Sequence, residues 1–172
     1  MSDLTGYESI VALATPVGRS ALAVIRTAGT DCVARIATAF SRPDALHQAG
    51  GNTLLHGYLS DPESGEQLDE VVLGVYRAPR SYTGEDAVEI MCHGGPPGVE
   101  RLLAMLRANG FRQAEPGEFT QRAFLAGKMD LTRAEAVQEL VTAQTERAHA
   151  MALERLGGSV ERRIDEVKNE LV

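Results

Sequence analysis

The chain has 172 residues, 44% hydrophobic and 24% charged, a composition inside the globular range that gives no support to disorder. Its formal net charge of −7 excludes a general nucleic-acid coat, because neutralising phosphates requires a surplus of Lys and Arg. A local basic patch remains open, since the C-terminal segment carries several arginines. Two cysteines, Cys32 and Cys92, make neither a disulfide framework nor a C-x-x-C metal pair. The start, Met1-Ser2-Asp3-Leu4, lacks the basic and apolar regions of a secretory signal, and no apolar run reaches the ~20 residues that span a bilayer. A soluble, reduced, cytoplasmic chain is expected.

The first apolar run, Ile10-Val11-Ala12-Leu13-Ala14, reads as a buried strand stopped at Thr15-Pro16-Val17-Gly18. A second, Leu22-Ala23-Val24-Ile25, follows a short polar turn and ends in Arg26. Thr30 or Asp31 then offers an N-cap to a helix whose apolar face is Val33, Ile36, Ala37 and Phe40, spaced i, i+3, i+4, i+7. Residues 41–52 are expected to be loop, with Pro43 and Gly50-Gly51 as breakers. Residues 53–59 and 68–76 read as strands joined by the turn Asp61-Pro62-Glu63-Ser64-Gly65, a hairpin. A further strand over 87–92 runs into His93-Gly94-Gly95-Pro96-Pro97. The helix that follows carries Val99, Leu102, Leu103 and Leu106 on one face and ends at Gly110.

This order predicts an α+β fold: a mixed-sheet domain with two packing helices, ending near Glu118. The pattern then becomes mainly helical. Thr132-x-x-Glu135 has the form of a capping box. Val137, Leu140, Val141, Ala148, Ala152 and Leu156 trace a long apolar stripe, which Gly157-Gly158 can interrupt and Val160, Ile164, Val167 and Leu171 continue. A helix gains its stability by burying such a face, and nothing after Val172 covers Ile164 and Leu171. The expectation is the front part of a larger protein; the alternatives are a helix packed back on its own domain or paired in a homodimer.

Few positions offer chemistry. Arg26 closes an apolar strand, where a guanidinium needs water or an anion, although an arginine emerging at a strand end is the plainer reading. Glu89 lies with Met91 on the strand face opposite Val88, Ile90 and Cys92. It either faces solvent or accepts hydrogen bonds from a ligand, and adjacent N–H donors of a pterin or guanine ring suit a carboxylate. The glycines of His93-Gly94-Gly95-Pro96 could admit an anion to a helix N-terminus; the alternative is a tight strand-to-helix turn. His93 and Cys92 point to opposite faces and make no metal pair. Lys128 follows Ala126-Gly127, but G-x-x-x-x-G-K-[ST] fails because Arg122 stands where Gly is needed and Met129 where Ser or Thr is. No catalytic residue and no metal ligand is assigned. The residues alone support a small-ligand binding module whose ligand is unnamed.

Several segments taken together resemble the MnmE (TrmE) family of tRNA-modification GTPases. They are Ile10-Val11-Ala12-Leu13-Ala14-Thr15-Pro16 with Gly18; Leu22-Ala23-Val24-Ile25-Arg26; and Ser81-Tyr82-Thr83-Gly84-Glu85-Asp86 leading through Glu89 to His93-Gly94-Gly95-Pro96. The most specific is Pro116-Gly117-Glu118-Phe119-Thr120-x-Arg122-Ala123-Phe124-Leu125-x-Gly127-Lys128-x-Asp130-Leu131. The likeness runs from about Ser9 to the C-terminus. It implies a tetrahydrofolate-binding and dimerising domain over 1–118 and the first part of a helical domain over 119–172. The family's G domain, with its GTP, potassium and magnesium sites, lies outside these residues, so the chain is expected not to hydrolyse GTP. The resemblance implies a homodimer that works with the flavin-dependent MnmG (GidA) protein to add a (carboxymethyl)aminomethyl group at C5 of the wobble uridine of certain tRNAs. A one-carbon tetrahydrofolate, 5-formyl or methylene, is the implied cofactor. Its contacts fall on Arg26, Glu89 and Lys128. A stand-alone folate-dependent aminomethyl or one-carbon transferase and a pure dimerisation module are the competing readings.

Overall fold

In the computed structural model, residues 8–158 are described. The chain divides into two compact units, Met1–Pro116 and Gly117–Val172. In the first, β1 (Ile10–Leu13), β2 (Leu22–Ala28), β3 (Thr53–Ser60), β4 (Gln67–Tyr76), β5 (Ala87–His93) and the two-residue β6 (Arg112–Gln113) form a sheet in the order β3-β4-β5-β2-β1-β6. All neighbours run antiparallel except β1 and β6, which are parallel. The fold is α+β with a mixed sheet. Helices α1 (Cys32–Ala37), α2 (Pro43–Gln48) and α3 (Pro96–Ala108) complete this unit.

Alternation along each strand sorts the side chains. Ala23, Ile25 and Thr27 of β2, Val71, Leu73 and Val75 of β4, and Val88, Ile90 and Cys92 of β5 are buried. They form one core with Val33 and Ile36 of α1 and Val99, Leu102 and Leu106 of α3. Thr27 is the polar member, and its hydroxyl donates to the Val88 carbonyl at 2.9 Å, as a fully buried hydroxyl must. The opposite face of the same strands carries Val24, Arg26, Val72, Glu89 and Met91, all half-buried. The central strands therefore hold a polar pair over an apolar core.

The ends of α3 follow its sequence. Pro96 occupies the first helical position after Gly95, where its missing N–H costs nothing. At the other end Gly110 has φ 87°. Its N–H donates to the Arg107 carbonyl at 3.1 Å, and Phe111 N–H to Leu106 at 3.1 Å. This is the Schellman pattern, with the buried Phe111 as its apolar partner.

Some expectations need correction. The loop expected over 41–52 contains α2, because Pro43 starts a short helix rather than breaking one. Helix α1 stops at Ala37, since Phe40 turns to bridge Leu59 beside β3. Gly57 permits this: a Cβ there would lie 2.5 Å from the Phe40 ring. Strand β2 continues two residues beyond Arg26, which is thus an interior residue.

The second unit contains α4 (Glu118–Leu125), α5 (Leu131–Thr142) and α6 (Glu146–Leu156). Within α4, Arg122 and Glu118 make a buried ion pair at 2.9 Å, one turn apart. The cap of α5 is Asp130, whose carboxylate accepts from Arg133 N–H at 2.8 Å; the Thr132/Glu135 box does not start the helix. The stripe expected to be continuous breaks over 143–145, where Thr145 caps α6 by accepting from Ala148 N–H at 3.1 Å. Helices α5 and α6 bury Ala136 and Ala152. They are tied by Arg155 to Glu139 at 2.6 Å. The further stripe of Val160, Ile164, Val167 and Leu171 lies outside the described residues.

Candidate functional site

Strands β2 and β5 pair in a register that sets Arg26 opposite Glu89. Cross-strand partners share a face, so a cation and a carboxylate 63 positions apart meet at the middle of the sheet. Arg26 Nε lies 2.9 Å from Glu89 Oε1 and Nη2 lies 2.8 Å from the same oxygen. The two side chains are 37% and 24% exposed. At that exposure an ion pair adds at most about 1 kcal/mol to stability. Its geometry matters more: both arginine nitrogens converge on one carboxylate oxygen.

The second oxygen, Oε2, accepts from the Tyr76 hydroxyl at 3.4 Å, long for an O–H···O bond. Burial, with Glu89 beside it, pushes the Tyr76 pKa above its usual value, so the phenol stays protonated and a donor. Gly74 of β4 is the cross-strand neighbour of Glu89 and places no side chain beside the carboxylate. On the other side the Arg26 guanidinium lies 5.5 Å from the centroid of the Tyr82 ring, within cation–π range. Acceptor, cation, phenol and aromatic ring thus gather at one place.

Tyr82 is held by the loop before β5. Asp86 receives Arg77 Nη1 at 2.7 Å and the Ala78 N–H at 2.9 Å. Arg77 also donates to the carbonyls of Leu46, His47 and Ala49. Gly84 takes φ 83°, a conformation that favours glycine. These bonds tie the Ser81–Asp86 segment to α2 and to the start of β5, and so fix the ring against Arg26.

The structure brings Arg26 and Glu89 together. Lys128 belongs to the second unit, where it follows α4 exposed, its N–H donating to the Ala123 carbonyl at 2.9 Å behind Gly127 at φ 68°. Tyr76 and Tyr82 were not singled out by the sequence. Tyr82 stood inside a quoted segment, and alternation along β4 puts Tyr76 on the face of Gly74; only the strand pairing shows that both reach the Arg26–Glu89 pair.

Other candidates are structural. His93 Nδ1 lies 2.7 Å from Asp69, which also accepts the His93 backbone N–H at 2.8 Å. That carboxylate raises the His93 pKa. Burial pushes the Cys32 thiol up to about 12 and the Cys92 thiol up to about 11, which leaves both as inert core residues. Among the described residues, no group of His, Cys, Asp and Glu is placed to hold a metal ion, and no helix is long and apolar enough to cross a membrane.

The profile of the family described as GTP-binding protein TrmE N-terminus matches residues 9–128. Among curated relatives, the tRNA modification GTPase MnmE of Borrelia turicatae is 50% identical over 173 residues, covering 100% of this chain and 37% of its own length. That of Borrelia recurrentis is 49% identical over 96% of the chain and 36% of its own length. That of Treponema denticola is 47% identical over 95% and 35%. The chain spans little more than a third of the length of these relatives. With a family profile over most of its residues and half of its positions identical to a relative along its whole length, the chain belongs to the MnmE (TrmE) family and corresponds to its N-terminal region.

Proposed function

We propose that this chain is the folate-binding and dimerising part of a GTP-dependent tRNA-modifying enzyme, and that its ligand is a one-carbon tetrahydrofolate. The observation that carries the reading is the Arg26–Glu89 pair, whose bonds fall on one carboxylate oxygen and leave the other with a single long contact. A carboxylate in that state is suited to adjacent N–H donors such as those of a pterin ring. Gly74 sets no side chain of its own beside it, and the Tyr82 ring supplies an aromatic wall. The residues present fit the group. When bound, the folate supplies a carbon unit; the chain's own residues bind and orient it.

Lys128 is proposed as a third contact from the family resemblance alone. A homodimer, a flavin-dependent MnmG partner and a cytoplasmic site of action belong to the same proposal. So does the addition of a (carboxymethyl)aminomethyl group at C5 of the wobble uridine in tRNA. GTP, potassium and magnesium are assigned to parts of the family outside this chain, whose residues carry no phosphate-loop motif.

Calorimetric titration of 5-formyl-tetrahydrofolate into the purified chain tests the reading. Wild type is expected to bind without turnover. Glu89→Ala and Arg26→Ala are expected to lose affinity at least tenfold with unchanged melting temperature, since the pair is half-exposed and adds little to folding. Equal binding by wild type and Glu89→Ala would remove the site. Turnover of a methylene-folate by the isolated chain would favour a stand-alone transferase.

A further inference from the structure

We infer that Tyr76 is a specificity-determining residue, reading the 4-oxo group of a 2-amino-4-oxo pterin while Glu89 reads its N–H donors. The inference rests on the folate reading above and extends it to a residue that neither the motifs nor the family likeness assigned.

One edge of such a pterin presents, in order, the 2-amino N–H, the N3–H and the 4-oxo oxygen: donor, donor, acceptor. The site presents Glu89 Oε1, Glu89 Oε2 and the Tyr76 hydroxyl: acceptor, acceptor, donor. The order in space fits, because the hydroxyl lies next to Oε2 and Arg26 lies on the Oε1 side. Arg26 fixes the carboxylate from the far side and its two bonds go to Oε1. Those two bonds use both lone pairs of Oε1, so the 2-amino N–H takes the place of one of them while N3–H meets Oε2.

The Tyr76 contact has the character of a bond waiting for a better partner. At 3.4 Å it is weak, so turning the hydroxyl from Oε2 to a ligand oxygen costs little. Burial, with the Glu89 carboxylate beside it, raises the Tyr76 pKa, so the group donates throughout the neutral range. Tyr76 lies toward the end of β4, two residues beyond the bare Gly74 that neighbours Glu89. Its hydroxyl lies 3.6 Å from where a Gly74 Cβ would stand. The carboxylate and the phenol therefore stand side by side on that face of the sheet, where Leu54 and Met91 also come within 3.7 Å of the same point.

The test is titration of 5-formyl-tetrahydrofolate and of its 2,4-diamino counterpart into the wild-type chain, Tyr76→Phe and Glu89→Gln. Tyr76→Phe removes one oxygen and keeps the ring. It is expected to weaken the 4-oxo ligand about three- to tenfold, the worth of one neutral hydrogen bond, and to leave the 2,4-diamino ligand unchanged, so that discrimination between them narrows. Unchanged or tighter 4-oxo binding by Tyr76→Phe would overturn the assignment, showing the hydroxyl as a bystander or a competitor for Oε2. That outcome leaves the folate reading intact so long as Glu89→Gln still weakens binding. Failure of the wild-type chain to bind either ligand would overturn both.

Discussion

The site depends on how individual groups are satisfied. Glu89 is held but not saturated: Arg26 occupies one oxygen, and a distant phenol the other. His93 shows the opposite condition, since Asp69 takes both its ring N–H and its backbone N–H. Asp69 stabilises the imidazolium and raises the His93 pKa. The folded value then lies above the unfolded one of about 6.5. The stability this adds is complete below that pH and is lost as pH rises through the folded value. Proton NMR titration is expected to place the His93 midpoint above 6.5, and Asp69→Asn is expected to bring it back down. A wild-type midpoint at or below 6.5 would contradict the contact. Lys128 differs from these residues because the family resemblance alone recommends it.

At the scale of elements, much of the layout was legible in periodicity. Strands β1 to β5 and helix α3 follow from apolar runs, strand-like alternation and i, i+3, i+4 spacing, which record burial directly. Other features leave little such trace. Strand β6 has only two residues, both polar and exposed. Helix α2 buries one side chain, Leu46. The break between α5 and α6 falls at Ala143-Gln144-Thr145, where no Gly or Pro marks it and Thr145 acts only as a cap. The face of Glu89 was readable from alternation, but its partner was not, because pairing β2 with β5 is a long-range choice made by the whole sheet.

The two ends of α3 give a test at this scale with opposite signs. Gly110 has φ 87°, and an added Cβ would stand 1.7 Å from Arg35 Nη1, a nitrogen that donates to the Asn109 carbonyl at 3.0 Å. Gly110→Ala should therefore destabilise the fold by roughly 1–2 kcal/mol. Gly98 lies in the first turn of α3, and an added Cβ meets nothing within 4 Å. Gly98→Ala should stabilise by roughly 0.4–1 kcal/mol through the unfolded chain. Urea denaturation of both variants measures the contrast; the same sign for both would show that the ends of α3 are misread.

At the scale of the whole molecule, one sheet does two jobs with its two faces. The side packed by α1 and α3 supplies the core. The other side presents a carboxylate, a guanidinium and one phenol on strands whose positions that core fixes, with the Tyr82 ring reaching Arg26 from the loop before β5. A site on central strands is positioned more rigidly than one on loops, and this suits recognition of a flat heterocycle. The chain has no phosphate-loop motif, and it spans little more than a third of its relatives. Folate recognition by this sheet is the function proposed for the chain.

The most direct measurement is a two-dimensional NMR map of backbone amides during titration with 5-formyl-tetrahydrofolate. The account predicts that the largest shifts cluster over residues 24–27, 73–76, 82 and 88–91. A depression of about 410 Å³ elsewhere on the first unit, lined by Ser9, Asp31, Arg35, Arg107 and Arg112 among others, provides the contrast. Shifts gathered there, with residues 24–27 and 88–91 unmoved, would contradict it.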